Sequence, residues 1–562
     1  MSASDKKKLR KELNAASMTE KQQNEMQAQK KSKTYTTIFL VSMILVVVLV
    51  LTSVLQTPVK VLIGNSTVAA TVNDHEITAA EFNYFYYDVI SNFYSQFSSA
   101  GDYQDMYVQI YTGLNPAQAL DAQKYDTTGK TWAQYFVESA LDSAKWTYAM
   151  YDEAVKTGFK LTEDQQKSLD SLSSNMNLFA QLYGYSNTDG YLRAQYGTYA
   201  TMDSYMNYYE VSMLASSYAS KHYDSLKFDA TAIRDYEKEK MEEFNSYSWG
   251  YYYFNASTFL TGGTEVKDEN GKTSITYSDD EKAAAVKVAK DHADAVIKGT
   301  AADFDAFEKL INDELGNTAE DSKKVTITKY ENVLHSALSA NEDMIKWLTD
   351  SARQTGEMTV IANTTENEDK TETTNGYYVL YFSSSRDNSD LYVGTVRHLL
   401  VKFQGGTTDK TTNKTVYSDE EKKAAKEKAE KLLAEFQAGE KTDEEAFTAF
   451  LTKHTDDVDS NKKPNNDGLY SDITPDSSYV QAFKDWATAK HEAGDMEIVE
   501  TEYGYHIKYY VEAEELNYRD TLIHAAMVDE DYEKWEKGIL DASKAAQITD
   551  KLVKKDLIIS GM

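Results

Sequence analysis

The stretch "EYGYHIKYY" (502–510) decides how the C-terminal part of this chain folds. After Gly504 its residues alternate in the manner of a strand with one buried face. His506 lies within this strand, with tyrosines close to it on either side. A histidine beside a strand is more often a satisfied core residue than a catalyst. Its role therefore depends on which other residues the fold brings near it.

An internal repeat indicates what surrounds this strand. Residues 277–299 and 417–439 share one plan, in which Ser278 and Ser418 are predicted helix N-caps. A glutamate three residues after each serine completes a capping box. Two tandem α+β domains are predicted, each with helices packed on an antiparallel sheet. The flanking strands repeat as well, in the pairs 247–254 with 396–403 and 375–382 with 503–510.

The region 58–240 is predicted to be a helical domain. The segment "TVNDHEITAAEF" (71–82) predicts a short strand, a turn and a helix capped by Thr78, with Glu81 three residues on. Long tyrosine-rich stretches with few helix breakers follow. Tyrosine offers a large contact face with a polar tip, which suits adaptable binding. A further helical segment is predicted within 514–562.

Charge and composition exclude several classes of function. The formal net charge is −31, and the basic residues of 1–34 give that segment about +5, so the remainder is strongly acidic. An acidic body argues against nucleic-acid binding, which depends on Lys and Arg at phosphates. The chain has no cysteine, so disulfides, thiolate catalysis and cysteine zinc sites are excluded. No metal or cofactor motif is present, and no cofactor is expected.

An apolar segment near the N-terminus predicts a membrane anchor. Residues 34–59 carry no charge, and 38–55 are almost wholly apolar, which is enough to cross a ~30 Å hydrocarbon core as a helix. A cleaved signal peptide is the alternative, but its apolar region is usually only ~7–15 residues long. The basic flank predicts a cytoplasmic N-terminus and a single-pass protein with its bulk outside.

The second repeat resembles a parvulin-type peptidyl-prolyl cis-trans isomerase domain. The resemblance covers about 391–512 and rests on the order of several pieces. They are the strand "VRHLLV" (396–401), the helices of 418–439 and 444–455, the loop "NNDGLYSDI" (465–473), the segment "YVQAFKDWA" (479–487) and "AGDMEIVETEYGYHIKYY" (493–510). With the anchor and the helical domain, the whole chain resembles extracytoplasmic foldases of the PrsA and SurA type.

The resemblance implies a set of site residues. His398, Asp457 and His506 match the catalytic positions, and Asp456 is a near rival of Asp457. The first repeat departs from the pattern, because Trp249 and Tyr378 stand where the sequence alignment places the two histidines. That copy is predicted to be a degenerate parvulin-like domain. The wall of the proline pocket is implied to consist of Leu469, Tyr479 and Phe483, extended by Trp486.

The predicted organisation follows from these observations. The fold class is α+β, with an N-terminal transmembrane helix, a helical chaperone-like domain, two tandem parvulin-like domains and a C-terminal helix. The expected partners are unfolded secreted polypeptides with X-Pro segments, and the membrane through the anchor. A non-catalytic holdase is the main alternative, and an adhesin or spacer is a third. The predicted segments are 1–34, 35–57, 58–240, 241–388, 389–513 and 514–562.

Overall fold

The computed structural model of the chain describes residue 43 and the ranges 56–238, 240–267, 273–317, 324–367, 370–408 and 414–549. These residues form two compact units, divided after Leu226 and before Glu530. The first unit combines the N-terminal part with the chain from Glu530 onward, and the second comprises Lys227–Asp529. No helix within the described ranges is both long and apolar enough to cross a membrane. The predicted span 35–57 lies almost wholly outside them.

The first unit is mainly helical. Residues 56–66 are helical, and the helix predicted after Thr78 begins at its predicted place, because the Thr78 hydroxyl accepts a hydrogen bond from the Glu81 N–H at 3.2 Å. Phe82, Phe136 and other residues of the first and third helices after Thr78 form its main core. The helices that follow Thr78 in this part of the chain are α1 (Ala79–Ser95), α2 (Gln104–Thr112), α3 (Trp132–Thr157), α4 (Glu163–Leu182), α5 (Thr188–Tyr196) and α6 (Met202–Ser225).

The C-terminal tail completes the first unit. Three short antiparallel strands, β1 (Val68–Val72), β2 (His75–Thr78) and β15 (Ala545–Gln547), form a sheet with β1 in the centre. The last turns of the C-terminal helix pack Trp535 and Ile539 against Met150, Ala215 and Ala219. The last described strand is therefore built into the same unit as the first described strand.

The second unit contains two four-stranded antiparallel sheets with the same arrangement. In each sheet, the strand that comes first along the chain lies beside the strand that comes last, and these two form the centre. The other two strands lie at the two edges of the sheet. The first sheet has the order β6-β3-β8-β7 and the second has β12-β9-β14-β13. Their strands are β3 (Ser246–Asn255), β6 (Thr328–Leu334), β7 (Met358–Glu366), β8 (Glu372–Arg386), β9 (Tyr392–Lys402), β12 (Leu469–Ile473), β13 (Met496–Thr501) and β14 (Gly504–Asn517).

Two separate hairpins and several helices accompany the four-stranded sheets along the chain. The hairpins β4 (Thr264–Lys267) with β5 (Thr273–Thr276), and β10 (Thr407–Thr408) with β11 (Thr415–Val416), precede the long helices. Ser278 and Ser418 cap those helices through the predicted capping boxes. The helices are α7 (Ala230–Glu237), α8 (Asp279–Val296), α9 (Phe304–Glu314), α10 (Glu342–Leu348), α11 (Asp419–Gln437), α12 (Glu444–His454), α13 (Gln481–Ala487) and α14 (Tyr518–Ala542).

The two faces of the second sheet have separate cores. Helices α11 and α12 cover one face, where Leu399, Phe447 and Ile507 are buried. The short helix α13 covers part of the other, where Phe483 and Trp486 pack with Tyr510 and Val396. Side chains alternate between the two faces along each strand. Residues 398 and 400 of β9 and residues 506, 508 and 510 of β14 therefore lie on the α13 face.

Candidate functional site

The register of the two central strands brings His398 and His506 together. Strands β9 and β14 pair so that His506 lies opposite Leu400, and His398 lies opposite Lys508. The two histidines are therefore diagonal neighbours on one face of the sheet. Their Nδ1 atoms are 3.0 Å apart, and both side chains are buried. A single proton is shared along this contact, because two donors or two acceptors facing each other do not form a hydrogen bond.

Asp457 reaches the same cluster from the loop after α12. Its Oδ2 lies 3.2 Å from His398 Nε2 and accepts a hydrogen bond from the Tyr470 hydroxyl at 3.0 Å. Its Oδ1 accepts a hydrogen bond from Asn465 Nδ2 at 2.7 Å. The hydrogen bond from His398, followed by those from Asn465 and Tyr470, holds the pKa of the Asp457 carboxyl well below its usual range.

The partners of the cluster form one continuous chain of hydrogen bonds. An ionised Asp457 only accepts, so His398 donates to it from Nε2. The Nδ1 atoms of His398 and His506 share the next hydrogen bond, and His506 Nε2 shares another with the Thr501 hydroxyl at 2.9 Å. The Thr501 oxygen also accepts a hydrogen bond from the Tyr503 N–H at 3.2 Å.

The surroundings of His506 favour its neutral form. Burial is the largest cause, and the neighbouring His398 and Lys508 act in the same direction, so that the pKa of His506 falls to about 3. Asp457 opposes this shift but does not overcome it. His506 is therefore uncharged near neutral pH.

Aromatic rings line the space beside the imidazoles. The Phe483 ring lies 5.4 Å from the His398 ring and 5.7 Å from the His506 ring, measured between centroids. Tyr470 packs at 4.7 Å from His398, and Tyr479 packs at 5.6 Å from Phe483. Tyr479 is 40% exposed and forms the outer rim, whereas Phe483 is buried. The cluster is thus bordered by an aromatic wall, with Tyr479 at its exposed edge.

Comparison with known families matches this part of the chain. Residues 398–512 match the family described as Rotamase, the PPIC-type PPIase domain, which begins here at His398 and includes His506. Residues 398–512 are a parvulin-type peptidyl-prolyl cis-trans isomerase domain. The two imidazoles and Asp457 therefore lie inside the isomerase domain, beside its aromatic wall.

Comparisons over the whole chain show only weak similarity. One similar solved structure comes from work that describes the virulence factor PEB4 and the periplasmic protein Cj1289 of Campylobacter jejuni as structurally related SurA-like chaperones. The identity is 13%, the match covers 46% of this chain and 81% of that chain, and the TM-score is 0.13. No curated protein matches the chain significantly.

Two of the predicted pocket residues lie elsewhere. Leu469 pairs with Arg397, which also pairs with Tyr509 on the face covered by α11 and α12, so Leu469 is directed away from the histidines. The next residue, Tyr470, takes the predicted place. Trp486 lies behind Phe483 and packs on His491 and Tyr510, so it supports the wall without bordering the imidazoles.

The structure also distinguishes Asp457 from its neighbour Asp456. Asp456 accepts a hydrogen bond from the Lys402 backbone N–H and lies 3.5 Å from Lys428 of α11. Asp457, one residue later, has the opposite direction and contacts His398. Asp457 is therefore the acid of the cluster.

The isomerase domain also contains partners that the sequence analysis did not identify. Tyr470 and Asn465 bind the carboxylate, and Thr501 orients His506. The turn from Asn466 to Gly468 has positive φ angles, which redirects the chain between Asn465 and Tyr470. Thr501 gives a usable signal, because it lies at the end of β13 and pairs with Gly504 in the hairpin before His506.

The first sheet corrects one residue of the alignment. Gly376 pairs with Asn255 in the first sheet, and Gly504 pairs with Lys402 in the second. The residue that occupies the position of His398 is consequently Tyr251, and Trp249 lies two residues before it. Tyr251 and Tyr378 are in ring contact at 5.4 Å, close to the 5.1 Å between the two histidines. The first repeat has an insertion, which includes Ala256–Phe259, between β3 and the glycines that follow this strand. The insertion hides the two-residue offset between Trp249 and Tyr251 when the two repeats are aligned by sequence alone.

The first sheet also has an edge strand. Strand β6 pairs with β3 as β12 pairs with β9. Its sequence, "TKYENVL" (328–334), has little in common with "LYSDI" (469–473), and pairing alone makes the two strands equivalent.

Proposed function

We propose that this chain is a membrane-anchored peptidyl-prolyl isomerase that assists the folding of secreted polypeptides outside the cytoplasm. The observation that carries the proposal is the hydrogen-bonded set His506, His398 and Asp457 beside an aromatic wall in the isomerase domain. We assign catalytic roles to these three residues. Tyr479 and Phe483 are assigned to substrate contact, together with Tyr470.

The geometry suits rotation about an X-Pro bond. The barrier of ~18–20 kcal/mol arises from amide resonance, and no bond has to be broken. An apolar wall that holds the proline ring out of water favours the twisted amide, which is less polar than the planar one. The polar groups beside it are already oriented by Thr501, Tyr470 and Asn465, so they need no reorganisation during the rotation. Catalysis then consists of tighter binding of the twisted amide.

The cellular setting is part of the proposal. The uncharged segment within 35–57 and the basic residues of 1–34 support a single membrane span with a cytoplasmic N-terminus. The substrates are then unfolded or partly folded secreted chains that present X-Pro segments. The equal strand order of the two sheets supports a tandem pair of parvulin-like domains, of which the first has tyrosines in place of the imidazoles.

A peptide isomerisation assay tests the catalytic assignment. The full-length chain, purified in detergent, is added to a proline-containing peptide whose cis form is detected by nuclear magnetic resonance exchange. H398A and H506A are combined in one variant, and Y251F with Y378F in the first sheet serves as the matched control. We expect the histidine variant to lose activity and the tyrosine variant to keep it. Equal activity of wild type and histidine variant would defeat the assignment.

A holdase function is the second candidate, and one surface favours it. Helix α2 buries only Val108, and its remaining apolar side chains lie in one exposed stripe. They are spaced three and four residues apart, as on one face of a helix. Exposed apolar stripes of this kind bind other polypeptides. The stripe consists of Met106, Tyr107, Ile110 and Tyr111 of α2, together with Tyr103 at its N-cap.

The holdase candidate has its own test. We compare I110D with Q109D, which adds the same charge at an exposed polar position of α2. The readout is suppression of aggregation of a reduced, unfolded protein by the full-length chain. If holding depends on the stripe, I110D suppresses aggregation less than Q109D does. Equal suppression by both variants would remove the stripe from consideration.

A further inference from the structure

A lysine lies buried directly beside the imidazole pair. Lys508 follows His506 by two residues on β14, so both side chains are on the α13 face of the sheet. It is opposite His398 in the register and is 0% exposed. None of the steps proposed for the isomerase uses this residue.

The amino group of Lys508 contacts helix α13, which carries Phe483 of the aromatic wall and is called the wall helix below. Its Nζ donates to the carbonyl oxygens of Phe483 at 3.0 Å and Ala482 at 3.4 Å. The same atom lies 4.6 Å from the ring centroid of Phe483 and 4.8 Å from that of Trp486. Within the described ranges, no carboxylate lies close enough to Nζ to form an ion pair. The ammonium is thus held by two carbonyls and two aromatic faces.

This placement is costly and is not required by the fold. Burying an ammonium without a carboxylate costs several kcal/mol, and an apolar residue of similar volume is usually tolerated. The first sheet shows such a residue, because Leu380 lies opposite Tyr251 just as Lys508 lies opposite His398. Leu380 is itself buried. A sheet of this arrangement therefore forms with leucine at this position, and the lysine needs another explanation.

The wall helix gives that explanation. Helix α13 has only seven residues, and its N-cap, Val480, makes no side-chain capping bond. A helix of this length is not stable by itself, so tertiary contacts must hold it in place. It carries Phe483, which borders both imidazoles, and Trp486 behind it. Lys484 adds a hydrogen bond to the Pro475 carbonyl. At the C-terminal end of the helix, the Tyr392 N–H of β9 donates to the Thr488 carbonyl, and among the described residues Lys508 is the one that ties the N-terminal half to a central strand through hydrogen bonds.

We propose that Lys508 is a positioning residue of the isomerase site, whose buried amino group fixes helix α13 and so places Phe483 over the imidazole pair. The proposal rests on the isomerase function proposed for this site. It assigns to Lys508 no contact with the substrate. It predicts that removal of the ammonium loosens the wall while the imidazoles and Asp457 stay in place.

Electrostatics gives Lys508 a signature of its own. Burial lowers the pKa of its ammonium to about 7, and Glu497 and Asp485 oppose that shift. Glu497 is its direct cross-strand neighbour on β13, and Asp485 lies on α13. Other titratable groups on this side of the sheet include His398 on β9, His506 and Tyr510 on β14, Lys484 on α13, and Asp457 in the loop after α12. A neutral amine still donates two hydrogen bonds, so anchoring persists above pH 7 whereas the charge does not.

Three forms of the full-length chain in detergent test the proposal. K508M keeps the length of the side chain and removes the ammonium. K508C introduces the only thiol of the chain, because the protein has no cysteine. Alkylation of that thiol with 2-bromoethylamine, in denaturant before refolding, displaces bromide and restores an ammonium at nearly the original distance. Wild-type protein carried through the same treatment is the control.

Two readouts separate this proposal from the isomerase function. The first is hydrogen exchange of peptides from 481–487, which we expect to be about tenfold faster in K508M and restored in alkylated K508C. The second is isomerisation kinetics, where we expect KM to rise about tenfold in K508M with kcat little changed. Thermal stability of K508M should not fall, which excludes general unfolding as the cause.

The outcomes are distinct. Unchanged exchange in 481–487, or a loss of activity in K508M that alkylation of K508C does not reverse, overturns the role of Lys508. If exchange changes as expected but the wild-type chain has no isomerase activity, the positioning of α13 stands and the proposed catalytic function fails.

Discussion

Replacement of His506 by glutamine tests the protonation state of the imidazole pair. In the folded chain, burial and its neighbours lower the pKa of His506 to about 3, from an ordinary value of 6.5. In the unfolded chain the histidine is in water and binds a proton near pH 6.5. Between these two values the unfolded state binds more protons, so the free energy of unfolding must fall as the pH falls.

The size of the effect follows from the same numbers. A group that titrates only in the unfolded state changes stability by ~1.4 kcal/mol for each pH unit. From pH 6.5 to pH 4.5, His506 should therefore cost the wild-type chain about 2 kcal/mol. Asp457 and Lys508 do not blur this window. The carboxyl titrates below it in both states, and the lysine is mostly protonated throughout it in both states.

The assay is urea unfolding followed by tryptophan fluorescence at pH 6.5, 5.5 and 4.5. We expect the stability difference between wild type and H506Q to shrink or reverse by about 2 kcal/mol over this range. T501V is the matched control, because it removes the hydroxyl bonded to His506 but keeps the imidazole. It should lose about 1 kcal/mol at every pH. A constant difference between wild type and H506Q would refute a neutral, buried His506.

Three further predictions concern the same domain. D457N should lower kcat/KM about tenfold without unfolding the chain, because His398 loses the charged acceptor that fixes its tautomer; unchanged kinetics would contradict this role. G504A should destabilise the chain by about 3 kcal/mol in urea unfolding, since a Cβ there would lie 2.2 Å from the Val401 carbonyl oxygen. In G538A the new Cβ meets no atom within 4 Å, so this variant should gain about 1 kcal/mol of stability. Between pH 7 and pH 9 the wild-type chain should gain about 2 kcal/mol relative to K508M, because unfolded lysine keeps its proton to about pH 10.5 and the folded one releases it near pH 7; parallel pH curves would contradict the lowered pKa.

Local signals in the sequence predicted much of the fold. The caps at Thr78, Ser278 and Ser418 are where the sequence places them, because a cap depends on residues three positions apart. The strand after Gly504 and its alternation were likewise visible. The two histidines and Asp457 were predicted as one cluster through the family resemblance, and the structure places them within hydrogen-bonding distance.

Errors arose where an offset of one or two residues changes the answer. Leu469 and Tyr470 are adjacent, yet they lie on opposite faces of the second sheet. Trp249 and Tyr251 differ by two positions, and only the pairing of β3 with β8 shows which one corresponds to His398. A strand has a side-chain period of two, so composition and alternation alone do not specify its partner or register.

The sequence by itself determined the identity of the elements, the start of the helices and the residue types available for catalysis. These depend on interactions within a few residues along the chain. Only the tertiary structure decided that Tyr470 joins the imidazoles, that Tyr251 and Tyr378 form the corresponding pair in the first sheet, and that Lys508 is buried under α13. Each of these depends on strand register, which is fixed by contacts between residues tens to more than a hundred positions apart.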